Sequence, residues 1–366
     1  MSNDLRYMRL ALSLGRRGQG NTWPNPAVGC VVVQGNRIVG RGWTQPGGRP
    51  HAEPQALAQA GALANGATAY VTLEPCAHHG ATPPCAEALI AAGVARVVSP
   101  LADNDPRVSG QGFAMLRAAG ITVDTGLLAD EAAHDHAGFF LRNDDGRPWL
   151  TLKLASSFDG RIATASGESQ WITAPPARHL VQAQRACHDA VMVGAGTARA
   201  DDPSLTVRDF TPARQPVRVV ISRHLDLPLM GNLARTAQEI PVWICHGPNP
   251  DPMLRSAWEG LGATLLECRL QGRQIDPASV LETLGKQGLT RVFCEGGGML
   301  AASLLSANLV DELVGFTAGL ALGAEGRPAL GALGLGHLSE ATRFDLIETR
   351  AIGPDVLHRW QRPRLS

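Results

Sequence analysis

The sequence carries no surplus of charge: 33 lysines and arginines balance 33 aspartates and glutamates over 366 residues. A polynucleotide binder needs a basic excess to neutralise phosphates, so the balance argues against a nucleic-acid partner. Long apolar runs are absent too. None approaches the roughly 20 residues that span a bilayer, so no membrane-crossing helix is expected. Residues 1–20 lack the small-residue cleavage site of a signal peptide. Their Leu5, Met8 and Leu12 fall on one helical face instead, and the segment reads as the amphipathic helix of a cytoplasmic protein. Nor is there an even set of cysteines. The seven present (30, 76, 85, 187, 245, 268 and 294) are widely spread, which suits metal binding or burial better than a disulfide framework.

What the chain does contain is a sustained alternation of strand and helix. Its length exceeds what one ordinary core accommodates, so two domains are expected. In the first half, residues 27–33 and 37–41 read as strands about the turn Gln34-Gly35-Asn36, 52–60 as a helix and 70–73 as a strand. There follow a helix at 85–92 closed by Gly93, a strand at 95–99 and a turn-rich loop at 103–112. A helix at 113–119, a strand at 121–124 and a helix around 131–141 complete this half. The stretch 142–148 is charged, holds Gly146 and Pro148, and has the chemistry of a linker. The expected domains are therefore residues 1–146 and 147–366. Beyond the boundary, near-continuously apolar strands are expected at 149–155, 190–193, 217–221, 242–245, 291–294 and 312–316, several of them separated by helices. That pattern implies an α/β fold with a largely parallel sheet covered on both faces. Residues 246–290 give weak signals.

Three short segments carry the chemistry of the first half: His51-Ala52-Glu53 opening a helix, Pro75-Cys76 ending a strand, and Pro84-Cys85 opening a helix. Imidazole and thiolates suit zinc, and three protein ligands leave a fourth position for water, as in a catalytic site. Zinc lowers that water's pKa towards neutrality. Glu53, two residues from His51, shares the first helical turn and can carry protons between the water, a ring nitrogen and departing ammonia. Eight residues separate the cysteines where the usual deaminase signature has two, and His78 and His79 between them are competing ligands. Pocket-lining or solvent-facing positions are the expectation for both histidines. In the second half, strands ending at Gly194-Ala195-Gly196-Thr197 and at Cys294-Glu295-Gly296-Gly297-Gly298 run into helices, which presents backbone N–H groups to an anion. Each reads equally as a tight turn, and the first does not fit the dinucleotide fingerprint of a Rossmann domain. Arg185 and Arg208 have the chemistry to hold a substrate phosphate through paired hydrogen bonds, or to serve as surface charges.

Together, Pro24-Asn25-Pro26-Ala27-Val28-Gly29, His51-Ala52-Glu53, Thr72-Leu73-Glu74-Pro75-Cys76-Ala77-His78-His79-Gly80 and Thr82-Pro83-Pro84-Cys85 resemble the deaminase half of a bifunctional deaminase/reductase family of riboflavin biosynthesis. In that family the longer inter-cysteine spacing is normal. Segments 153–161, 166–172, 191–197, 201–208 and 294–298 resemble its reductase half, with Phe158 standing where a leucine is more usual. The resemblance implies a cytidine-deaminase-like three-layer domain followed by a dihydrofolate-reductase-like domain. It implies His51, Cys76 and Cys85 as zinc ligands, Glu53 as the catalytic proton carrier, and Asn25 with the loop 103–110 as substrate contacts. In the second domain it implies that Ala155, Trp171, Thr197, Asp201, Ser222, Gly296, Gly297 and Gly298 hold NADPH. Ser169, Arg185, Leu205, Arg208 and Glu295 would then hold a phosphoribosyl substrate.

The implied activity is hydrolytic deamination of 2,5-diamino-6-(5-phosphoribosylamino)pyrimidin-4(3H)-one. NADPH-dependent reduction of the ribosyl chain of 5-amino-6-(5-phosphoribosylamino)uracil to ribityl follows, in a cytoplasmic homo-oligomer. The alternatives are a zinc deaminase of a free base, nucleoside or RNA with a C-terminal binding module, and a non-catalytic zinc-stabilised scaffold. A structural zinc takes four protein ligands, so three ligands beside Glu53 weigh against the scaffold.

Overall fold

The computed structural model describes residues 3–79, 83–105 and 109–363. The chain divides into two compact units, Met1–Gly146 and Arg147–Ser366. In the first, the strands β1 (Gly29–Gln34), β2 (Arg37–Trp43), β3 (Thr68–Val71), β4 (Arg96–Ser99) and β5 (Thr122–Thr125) form one sheet in the order β2-β1-β3-β4-β5. β1 runs antiparallel to β2 and β3, whereas β3, β4 and β5 are parallel. Helices α1 (Asn3–Arg16), α2 (Ala52–Ala60), α3 (Cys85–Ala91), α4 (Gln111–Ala118) and α5 (Ala129–Asp145) surround it.

Alternation along β1 divides the core. Cys30 and Val32 pack with Ala52, Ala56, Leu89 and Leu116 of α2, α3 and α4, while Val31 and Val33 pack with Met8, Leu12 and Ala132 of α1 and α5. Both sheet faces are thus covered, which is the three-layer arrangement expected. Glycine brings α2 onto the sheet. A Cβ at Gly40 or Gly42 would lie 2.0 Å or 2.2 Å from the Ala56 or Ala52 carbonyl oxygen. Only their bare backbones let α2 approach β2, and that approach fixes where His51 begins the helix. The linker expected from residue 142 starts later. Residues 142–145 are the last turn of α5, whose charged side chains need not be buried, and the helix ends at Gly146 with φ 71°.

In the second unit, nine strands form a single sheet. From edge to edge they are Thr264–Glu267, Val242–His246, Val217–Ile221, Ala190–Gly194, Arg291–Cys294, β6 (Trp149–Ser157), Glu312–Ala318, Asp355–Gln361 and Asp345–Ile352. The first seven are parallel, as expected, and the last two close the sheet as an antiparallel hairpin. One face departs from the expectation of full cover. Leu152, Leu154, Leu313, Phe344 and Trp360 line an apolar cavity of about 370 Å³ there. The opposite face of β6 carries Thr151 and packs near the end of α6 (Pro175–Ala186).

His188, just beyond α6, is buried on that side. Its Nδ1 donates to the Gln184 carbonyl at 2.7 Å, and its Nε2 accepts from the Thr151 hydroxyl at 3.0 Å. Burial first, then the nearby Arg291 and Arg359, hold the imidazole down to about 4, against the pull of the Gln184 bond and Glu312. The unfolded chain takes up this proton near pH 6.5, and the folded chain does so only near pH 4. Acidification through that window therefore favours unfolding, by up to about 3 kcal/mol in all. Urea titrations at stepped pH should show this loss in the second unit, and His188→Asn should flatten it. An unflattened limb in that variant would assign the effect elsewhere.

Candidate functional site

The first cluster is assembled from three element ends. His51 is the residue at which α2 starts; its side chain makes no capping bond, which leaves the imidazole for another partner. Cys76 follows the end of β3, and Cys85 opens α3. The Cys85 backbone N–H donates to the Cys76 sulfur at 3.3 Å, so the first turn of α3 stabilises that thiolate. His51 Nδ1 stands 3.3 Å from Cys85 Sγ and 3.7 Å from Cys76 Sγ. All three ligand atoms lie within 4.8 Å of one another. Ligands around one tetrahedral zinc are separated by about 3.5–3.8 Å, given its usual bond lengths to nitrogen and sulfur, so the set fits that ion.

The sulfurs' own protons point the same way. The Cys76 thiol is pulled down to about 4, first by the bond shared with Cys85 and then, against burial, by His51. The same shared bond, with burial, pushes the Cys85 thiol up. A thiolate favoured at Cys76 is the form that ligates a divalent cation. Of the competing histidines, His78 lines the pocket and His79 is exposed, 3.4 Å from Glu87. Neither joins the ligand group.

Glu53 sits in the first turn of α2 and is buried beside the ligands. Burial, reinforced by the Cys76 thiolate, raises its carboxyl above the usual range. Asn25 also lines this pocket and donates to the Gly48 carbonyl at 3.2 Å. Asp103 and Asp105 contribute from the expected loop, and burial lifts Asp103 to about 6. Residues 106–108 of that loop, and Gly80, Ala81 and Thr82 of the cysteine motif, lie outside the described residues. Glu74 escaped the sequence reading. Its carboxylate accepts from the backbone N–H of Asp103 at 3.1 Å, Gly110 at 2.9 Å and Phe113 at 3.1 Å, which pins the loop to the end of the metal-bearing strand.

The second cluster lies at the carboxyl ends of the parallel strands, where open α/β sheets place their ligands. Gly194 ends its strand and starts α7 (Ala195–Asp201), and Gly297 starts the helix Gly298–Ser306. The two turns touch, because the Gly297 N–H donates to Thr197 Oγ1 at 3.2 Å. A Cβ at Gly298 would approach the Pro328 carbonyl oxygen to 2.9 Å, so the crossing requires glycine.

Ala155 lies on β6, half-buried. Asp201 ends α7, and Ser222, past the end of its strand, donates to Asp226 at 2.9 Å. Trp171 is 65% exposed with the Arg178 guanidinium 4.6 Å from its ring centre, an open face available for stacking. Ser169 is half-buried two residues before it. Leu205 has φ 54° and buries its side chain in the core, so any ligand contact it makes comes from its backbone.

Arg185 and Glu295 meet directly, at 2.5 Å and 3.2 Å. Against burial, the charges of Arg185 and Lys153, then of exposed Arg208, hold the Glu295 carboxyl below the usual range. Lys153, on β6 at 3.8 Å from Glu295, joins this group and was not singled out from the sequence. Burial lowers its ammonium, with Glu295 acting against the fall.

Two family models match the chain: the cytidine and deoxycytidylate deaminase zinc-binding region over residues 1–100, and the RibD C-terminal domain over 148–358. Over 365 residues the chain is 44% identical to riboflavin biosynthesis protein RibD of Escherichia coli, covering 96% of this chain and 98% of that protein. It is 40% identical to the protein of the same name from Bacillus amyloliquefaciens, with 96% and 94% covered. Among solved structures, Acinetobacter baumannii RibD superposes with a TM-score of 0.88 at 39% identity, covering 99% of both chains. A Thermotoga maritima diaminohydroxyphosphoribosylaminopyrimidine deaminase/5-amino-6-(5-phosphoribosylamino)uracil reductase gives 0.86 at 31%, with the same coverage.

Proposed function

Because this chain belongs to the RibD family of bifunctional riboflavin-biosynthesis enzymes, we propose how its residues divide the two reactions that family membership brings. The enzyme is a zinc-dependent deaminase and an NADPH-dependent reductase acting on phosphoribosyl pyrimidines. A reductase as the second half sets aside the alternative of a passive binding module. The observation that carries the deaminase reading is the meeting of His51, Cys76 and Cys85 beside buried Glu53.

Zinc held there makes water nucleophilic at neutral pH. Glu53, its carboxyl raised by burial, accepts one proton from the incoming water and passes it to the ring nitrogen, then takes the second proton from the same oxygen after attack and passes it to the departing amine. Asn25 and Asp103 orient the pyrimidine by hydrogen bonds from the pocket wall. In the second unit, NADPH supplies the hydride. The touching turns at Thr197 and Gly297, with Gly296 and Gly298, would hold the cofactor together with Ala155, Trp171, Asp201 and Ser222. Arg185, Glu295 and Arg208 position the substrate, with Ser169 and the Leu205 backbone beside it.

In this reading the protein works in the cytoplasm, where reducing conditions keep Cys76 and Cys85 available as thiolates. No helix among the described residues is long and apolar enough to cross a membrane. It also works as a homo-oligomer, a second copy covering the apolar sheet face around Leu154 and Trp360, since such a face is costly to leave in water.

One preparation tests both parts. After treatment with a chelator that removes the zinc, ammonia release from the diaminopyrimidine substrate should stop. NADPH oxidation on supplied deaminated product should continue, and sedimentation should return a species heavier than one 38.6 kDa chain. Undiminished ammonia release from verified zinc-free protein would refute the deaminase assignment, and a monomer would refute the pairing.

A further inference from the structure

Resting on the deaminase reading above, we infer that Arg49 and Arg142 hold the substrate phosphate in the zinc-site pocket. A phosphoribosyl pyrimidine brings a phosphate monoester carrying about −1.5 to −2 charges at neutral pH. The pocket it must enter is lined by four carboxylates, Glu53, Glu74, Asp103 and Asp105. Those groups repel the phosphate, so its place must be set by cations. Among the described residues lining the pocket, Arg49 and Arg142 are the two guanidinium groups, and no lysine accompanies them.

The backbone aims both. Arg49 has extended backbone, φ −147° and ψ 148°, and stands two residues before His51, itself extended at φ −68° and ψ 169°. The guanidinium lines the same cavity as the metal-binding imidazole. Arg142 belongs to α5, three residues after Phe139 and one before Asn143. All three line the pocket from one helical face. Its Nη1 donates to the Pro24 carbonyl at 3.0 Å, which anchors it against the loop bearing Asn25. Two planar forks suited to phosphate oxygens thus share the pocket with the ligands and the proton carrier.

The test compares Arg49→Ala, Arg142→Ala and the lysine variants of each on the phosphorylated substrate and on its dephosphorylated ribosyl counterpart, with zinc content confirming an intact site. Each alanine should raise KM for the phosphorylated substrate about tenfold or more, as befits loss of charged hydrogen bonds, and change kcat little. KM for the dephosphorylated compound should not change, and lysine should restore part of the loss. Independently of turnover, calorimetry with ribose 5-phosphate should show the double alanine variant losing one binding site per chain. Unchanged stoichiometry, or an equal rise in KM on both substrates, would overturn the assignment. An unmodified chain that releases no ammonia would overturn the deaminase reading beneath it.

Discussion

Replacing Glu53 with glutamine should leave zinc bound and cut ammonia release by roughly 10²- to 10⁴-fold, the range over which a positioned acid–base group accelerates proton transfer. Zinc stays because its three ligands are elsewhere, on His51, Cys76 and Cys85. Glutamine preserves the volume and polarity of a side chain that is only 3% exposed, so the loss cannot be ascribed to a collapsed cavity. What disappears is a buried carboxyl, raised above its usual range beside the Cys76 thiolate, that can take a proton and give it back. Metal analysis, ammonia release and NADPH oxidation on supplied deaminated product, measured on one sample, separate these outcomes. Ammonia release at the unmodified rate would remove Glu53 from the mechanism.

The second large effect is expected at Glu295. Its carboxylate stands 2.5 Å from Arg185 and 3.8 Å from Lys153, with little access to water. Removing one partner of a buried ion pair leaves uncompensated charge, a loss of about 3–5 kcal/mol. Glu295→Ala should therefore lower the urea midpoint of the second unit and nearly abolish the reduction. Lys153 loses the one anion that opposes the effect of its burial, so its ammonium should release its proton at lower pH than before. Glu295→Gln keeps a hydrogen-bonding side chain and should restore part of the stability without the charge. Unmodified stability in the alanine variant would mean that solvent reaches the cluster and screens it.

How far the sequence could carry these conclusions depended on whether a residue's job was local. His51, Cys76 and Cys85 were legible because element ends, prolines and ligand chemistry coincide within a few residues of each. Glu74 was not, because its three backbone partners lie some 30 to 40 residues further on and no local pattern announces them. Lys153 was hidden by its surroundings: within an apolar strand it reads as an outward-facing residue, and only the sheet's order brings it to Glu295. Six parallel strands of the second unit could be read from their continuous apolar character, whereas Thr264–Glu267 fell in the weakly signalled stretch 246–290. The hairpin Asp345–Ile352 and Asp355–Gln361 could not, since the first of its strands leaves most residues exposed and shows no buried alternation. The turn of helix at 142–145 looked like linker because a solvent-facing turn and a linker share the same charged composition.

The clasp made by Glu74 has an evolutionary corollary. One acid fastens the backbone at Asp103, Gly110 and Phe113 and hangs two residues from a metal ligand. Amides exist whatever the side chain, so the residues strung between those fastenings can be exchanged wholesale without disturbing the ion. Such a lineage can retune which ring it accepts by editing a single loop, while the apparatus that breaks the carbon–nitrogen bond is inherited untouched.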